Sequence, residues 1–266
     1  MSTISVILPV SSTHSRDFAE YFAKAIESLN KQQSKIDELV LVHTDDETLM
    51  NFIDSFDFGD LNVQKVKNDT ENVDFQSQVN LGVSKAKSEW VSILEFDDEY
   101  SLIWFKNVKN YIKSHPETSG FLPIVVDVDD KGMFVGYTNE ATFAASFNTE
   151  IGILTNDLLL QYQNFQTSGM VLRKSCFEDF GGFKKSFKLT FVYEFLLRLT
   201  YNSVKIMTIP RLGYKHTNLR ESSLFWNYKN GKDKITENEV KFWLESAKKE
   251  YFFSNDRNIK YEEQTV

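Results

Sequence analysis

Four short apolar runs, separated by stretches of helical periodicity, constrain this chain more than any other feature. Ile4-Ser5-Val6-Ile7-Leu8-Pro9, Leu39 to Val42, Leu61 to Val66 and Trp90 to Leu94 read as strands. The first stops at its proline, and the last is apolar enough to be buried on both faces. Between them, Phe18, Phe22, Ala25, Ile26 and Leu29 recur at helical spacing behind Ser15, a candidate N-cap. Leu49, Phe52, Ile53 and Phe56 mark a second helix, and Phe75, Val79, Val83 and Ala86 a third over residues 74–87. Strands alternating with helices predict parallel βαβ units, hence an α/β class with a central, mostly parallel, Rossmann-like sheet flanked by helices.

The fourth run ends in Glu95-Phe96-Asp97-Asp98. The carboxyl ends of strands are where open α/β sheets bind ligands. Three carboxylates in four residues repel one another there unless a cation lies among them. Oxygen donors of this kind suit Mg²⁺ or Mn²⁺, shared with a substrate phosphate. Taken alone, the cluster is equally compatible with a solvated turn in which Asp98 starts the next helix.

The second half has a different rhythm. Residues 101–113 are helical, and Phe121 to Val126 and Met133 to Tyr137 form strands around a turn at Asp129-Asp130-Lys131-Gly132. The pattern weakens from Thr138 to Gln166, as in substrate-facing loops. Ser168 to Leu172 and Val204 to Ile209 are further strands, the latter closed by Pro210. Val192, Phe195, Leu196 and Leu199 define another helix. Thr236 to Glu239 fits a capping box, followed by a stripe of Val240, Trp243, Leu244, Ala247 and Tyr251. Packing onto the same domain is the first reading of that stripe; a homodimer contact or a membrane-surface helix is the alternative. Residues beyond Ser254 are expected to be disordered. The expected organisation is residues 1–225 as one domain, divided at about residue 100 into two halves, with 226–266 as a helical extension.

Composition removes several classes. A net charge of −8 leaves no basic face for nucleic acid. Cys176 is the only cysteine, so neither a disulfide framework nor a thiolate metal site is available. No apolar stretch approaches the roughly 18–20 residues of a membrane span, and no opening segment resembles a signal peptide. A cytoplasmic protein is the expectation.

Taken in order, the motifs resemble family 2 glycosyltransferases of the GT-A fold over about residues 4–225. The stretch from Val79 to Asp98 carries Asn80-x-Gly82, Ala86 and an apolar strand running into an acid-x-acid motif. Ser5 to Val10, Ala25 to Leu29 with Gln32 or Gln33, Ser168 to Arg173, Gly181-Gly182-Phe183 and Glu194 to Leu199 fit the same pattern.

The resemblance implies sugar transfer from a nucleotide-sugar donor, with a UDP-sugar favoured, to a glycan, protein or lipid-linked acceptor, aided by Mn²⁺ or Mg²⁺. It makes Asp97 the principal metal ligand and puts Glu95, longer than the usual aspartate, on the ribose or the metal's water shell. Asp98 then caps the next helix or orders the site. His216 matches a region where some members supply a histidine to the metal, and Lys215 and Arg220 flank it as candidate diphosphate partners. Pro9, Val10, Ser11, Thr44, Asp45, Asp46, Gln76, Asn80 and Phe96 fall at the expected nucleotide positions, although His43 and Thr44 stand where paired aspartates are usual. The usual catalytic aspartate is replaced by Val192, which cannot take a proton; Glu194, two positions on, is the substitute base. The alternative is a non-catalytic nucleotide-sugar-binding module.

Overall fold

In the computed structural model, residues 2–12, 17–142, 152–218, 220–221, 223–231 and 233–262 are described; the Ser15 cap lies outside them. Strands β1 (Ile4–Val10), β2 (Glu38–Thr44), β3 (Val63–Asn68) and β4 (Trp90–Ile93) are parallel. β1 and β2 are buried along their whole length, which is why both read as unbroken apolar runs. β3 closes the sheet edge and alternates lysines with buried residues. The second half continues the sheet as a mixed set: β5 (Glu99–Tyr100), β6 (Gly120–Val128), β7 (Phe134–Thr138), β8 (Gly152–Leu154), β9 (Val171–Arg173) and β10 (Ile206–Thr217). The order is β3-β2-β1-β4-β9-β6-β10-β5, with β7 on β6 and β8 on β10. The architecture is therefore the expected α/β one, a central, mostly parallel sheet flanked by helices.

Helices α1 (Phe18–Asn30), α2 (Glu47–Ser55) and α4 (Trp104–Ser114) share one core cluster with the sheet; α3 (Phe75–Lys85) and α7 (Phe191–Tyr201) belong to the other. Short α5 (Asn156–Gln161), α6 (Ser175–Phe180) and α8 (Leu224–Asn230) precede the last helix, α9 (Glu237–Glu250). The expected stop at Pro210 is corrected: β10 passes through it. Register shifts between Thr208 and Leu212, and between Leu212 and Tyr214, put the proline, which has no N–H to donate, in an irregular part of the ladder. That continuation carries Tyr214 and His216 to the end of the sheet.

The motifs Asn80-x-Gly82 and Gly181-Gly182-Phe183 turn out to be one contact. Asn80 donates to the Phe183 carbonyl at 2.8 Å and accepts from its N–H at 2.9 Å. A Cβ on Gly182 would lie 2.2 Å from Asn80 Oδ1. On the opposite side of α3, a Cβ on Gly82 would lie 2.4 Å from Ile7 Cγ2 and 2.9 Å from Val42 Cγ2. Gln76 donates to the Phe187 carbonyl at 2.7 Å. α3 is thus clamped between the sheet and the 181–187 segment.

The tail also belongs to this core. Trp243, Ala247 and Tyr251 are buried in the cluster that contains α7, while Val240 of the same stripe stays exposed. Among the described residues beyond Ser254, Asp256 is tied to the domain, against expectation, accepting from the Ser186 N–H at 2.9 Å and from its hydroxyl.

Because both neighbours of Gly82 are strand side chains with no room to retreat, Gly82→Ala is expected to destabilise the fold by about 1–3 kcal/mol. Equilibrium urea unfolding measures this.

Candidate active site

After β4 the chain crosses the carboxyl edge of the sheet toward β5 and β10, exposing its acids to the end of β10. Leu94 donates its N–H to Ile7 and anchors the crossing. The Glu95 N–H donates to Tyr214 Oη at 3.1 Å, and Glu95 Oε1 accepts from Ser168 Oγ at 2.7 Å. Gly169, at φ +73°, lets the Tyr214 ring pass; a Cβ there would be 2.5 Å from the ring.

Asp98 is buried. Its Oδ1 accepts from the Thr217 N–H at 2.8 Å and its Oδ2 lies 3.1 Å from His216 Nδ1. One ligand atom from each of Glu95, Asp98 and His216 falls within 4.8 Å of the others. Asp97 is placed differently. Its Oδ2 accepts from Arg220 Nε at 2.7 Å, and its carbonyl accepts from Thr217 Oγ1 at 2.7 Å. The Arg220 guanidinium lies 5.0 Å from the Phe96 ring centre and 5.8 Å from that of Tyr21. Among the described residues the converging ligand atoms belong to Glu95, Asp98 and His216, while Asp97, expected as the principal ligand, is paired to an arginine. The helix-cap role read for Asp98 goes to no side chain, since Ile103 stands at the N-cap of α4 and makes no side-chain cap.

Burial pushes the Glu95 carboxyl up to about 7, with the Asp98 charge adding to it. Burial and Asp98 also raise Asp97, against Arg220, which pulls it down. For His216, burial works against the charged ring, but Asp98, Glu95 and Asp127 outweigh it and hold the pKa at about 10. Two carboxylates and an imidazole crowded under partial burial form a donor set of the kind that fits a divalent cation.

The remaining residues divide into two groups. Pro9 and Val10 are buried in β1, and the Ser11 carbonyl accepts from Thr44 Oγ1 at 2.8 Å, so Ser11 and Thr44 meet at the same edge as the acids. Asp45 is exposed and pairs with Lys67 at 2.8 Å. Asp46 caps α2 by accepting from the Leu49 N–H at 2.7 Å. Lys215 pairs with Glu99. The amides of Gln76 and Asn80 serve the backbone of Phe187 and Phe183. Glu194 is held in an ion cluster of its own. It is fully buried, bonded to Arg198 Nε at 3.0 Å and Nη2 at 2.9 Å, and 2.9 Å from Lys184 Nζ. Arg198 further donates to the carbonyls of Phe180, Gly181 and Gly182. In that enclosure Glu194 meets no acceptor. Sequence reasoning passed over Ser168 and Tyr214, which hold Glu95, and a lone serine or tyrosine gives no signal of such a role.

The model of Glycosyl transferase family 2 matches residues 5–179. The chain belongs to that family. Its fold is similar to that of S. aureus TarS 1-349 in complex with UDP-GlcNAc, at TM-score 0.64 and 19% identity over 84% of this chain and 60% of that one. TarS 1-349 in complex with UDP gives 0.62 and 19% over 81% and 60%. The chain thus spans about three fifths of those structures. No curated protein matches the sequence. No helix among the described residues is long and apolar enough to cross a membrane.

Two predictions follow from the charges. Glu194→Gln leaves Arg198 and Lys184 buried without their counter-charge and is expected to cost about 3–5 kcal/mol in urea unfolding. For pH, Glu95 is raised from 4.5 to about 7, so its share of stability is complete below pH 4.5 and is lost as pH rises through 7. His216, raised from 6.5 to about 10, acts in the same direction, its share being lost between those values. Thermal melts in EDTA should therefore fall from pH 5 to 9 more steeply for the wild type than for the Glu95→Gln/His216→Gln double variant. Parallel profiles would contradict the assignment.

Proposed function

We propose that this chain moves a sugar from a nucleoside-diphosphate sugar, a UDP-sugar first, to an acceptor hydroxyl with inversion and with Mn²⁺ or Mg²⁺ bound. The observation that carries the reading is the convergence of Glu95, Asp98 and His216 at the carboxyl end of β4. These three residues hold the cation. When bound, it supplies Lewis-acid stabilisation of the negative charge that accumulates on the departing diphosphate. Asp97 orients Arg220, whose guanidinium stands over Phe96 and gives the diphosphate a second positive partner. Ser168 and Tyr214 fix Glu95, so the donor meets a carboxylate already in place. Ser11, Thr44 and Asp45 sit at the ends of β1 and β2, where the nucleoside lies over the sheet edge. UDP is favoured because the similar TarS structures hold UDP and UDP-GlcNAc.

Val192 at the usual base position supports a second reading, a module that binds the donor without turning it over.

Calorimetric titration with UDP, with and without Mn²⁺, tests the assignment. Wild-type protein is expected to bind UDP more tightly with Mn²⁺, and Asp98→Asn to lose about 10–100-fold of that metal-dependent affinity. Asp97→Asn should cost less Mn²⁺ dependence than Asp98→Asn; the reverse order would return the ligand role to Asp97. Mn²⁺-independent UDP binding would remove the cation from the site.

A further inference from the structure

The site above lacks a group to take the acceptor's proton. Val192 cannot, and Glu194 is enclosed by Arg198 and Lys184. What the chemistry needs is a carboxylate at the same edge of the sheet that is not committed to a cation. Glu95 and Asp98 belong to the cluster with His216, Asp97 is held by Arg220, and Glu99 by Lys215.

Asp127 meets the requirement. It lies near the end of β6, parallel to β10, and stands in register with His216. It is nonetheless outside the group of three whose ligand atoms converge. The residue is 7% exposed, so its carboxylate is largely shielded from bulk water. Its Oδ2 accepts from Thr138 Oγ1 at 2.7 Å, the one hydrogen bond its side chain makes among the described residues; it is in no described ion pair, and its charge reaches the neighbouring His216 ring only at longer range. The surrounding backbone is fixed by Asn139, which is fully buried at φ +72°. Asn139 donates to the carbonyls of Pro123 at 3.0 Å and Gln166 at 3.3 Å, and accepts from the Gln166 N–H at 3.1 Å. β6, β7 and the segment leading to Ser168 are thereby one unit, and Ser168 holds Glu95. Asp127 is therefore set at a fixed place beside the donor site.

We propose that Asp127 is the general base of the transfer, an inference that rests on the function proposed above. The acceptor oxygen forms a bond to the anomeric carbon of the donor sugar. The bond from that carbon to the diphosphate breaks, and its electron pair leaves with the nucleoside diphosphate. The hydroxyl proton passes to Asp127, whose Oδ2 is held by Thr138 so that Oδ1 receives it. The base of this chain thus comes from the β6–β7 hairpin instead of the first turn of α7.

Asp127→Asn tests this, because it preserves shape and can keep the Thr138 bond. UDP release from UDP-GlcNAc, UDP-glucose and UDP-galactose, with Mn²⁺ and water as acceptor, gives kcat and KM; calorimetry gives UDP affinity. The expected result is a kcat lowered by about 10²-fold or more, with KM and UDP affinity within about threefold of wild type. A kcat within about threefold of wild type would overturn the proposal. So would a parallel loss of kcat and UDP affinity, which marks a binding or structural role. Wild-type protein that binds UDP with Mn²⁺ but releases it from none of the three donors also overturns it, leaving the donor site standing. Absence of Mn²⁺-dependent UDP binding in the wild type instead defeats the function proposed above.

Discussion

Three carboxylates at the end of β4, Asp98 buried and Glu95 and Asp97 half-buried, are the constraint around which the rest of this structure is arranged. Burial raises the proton affinity of Glu95 and Asp97, and the charge of Asp98 adds to the effect. Such a group persists only with positive charge supplied from elsewhere in the chain. His216 and Arg220 supply it, from more than a hundred positions downstream, and they divide the acids between them. His216 takes Asp98 and Arg220 takes Asp97. The division separates the acids that converge with an imidazole from the acid that orders a guanidinium.

Bringing those two cations into place is the work of β10. A strand that ended at Pro210 would leave Tyr214 and His216 in a loop. The register shifts on either side of the proline let the ladder resume, so that His216 is paired across from Asp127 and Thr217 lies beside Asp98. Irregular backbone here has a positional consequence: it re-aims the last turn of the strand at the acids. Gly169 serves the same end by letting the Tyr214 ring lie under the Glu95 backbone.

A second group of motifs has a packing role. Asn80 binds the backbone of Phe183, Gly182 leaves room for that amide, and Gly82 lets α3 approach β1 and β2. Arg198 then ties α7 to the neighbouring carbonyls of Gly181 and Gly182, with Glu194 balancing its charge and that of Lys184. Residues that look like nucleotide ligands or a base in sequence thus join the helices on one face of the sheet. Buried ions need this many partners, because each lost hydrogen bond leaves an uncompensated charge in a poorly solvating interior.

The alternation of apolar runs with helical periodicity determined the α/β class, and the acids after Leu94 located the edge where chemistry gathers. Those are local signals: strand burial and charge density are written in consecutive residues. The choice between Asp97 and Asp98, the enclosure of Glu194, the course of β10 beyond Pro210 and the placement of Asp127 beside His216 were decided only in three dimensions. Each depends on a partner far along the chain, and a carboxylate's role is set by which cation, hydroxyl or amide reaches it, a distance that no spacing in one dimension encodes.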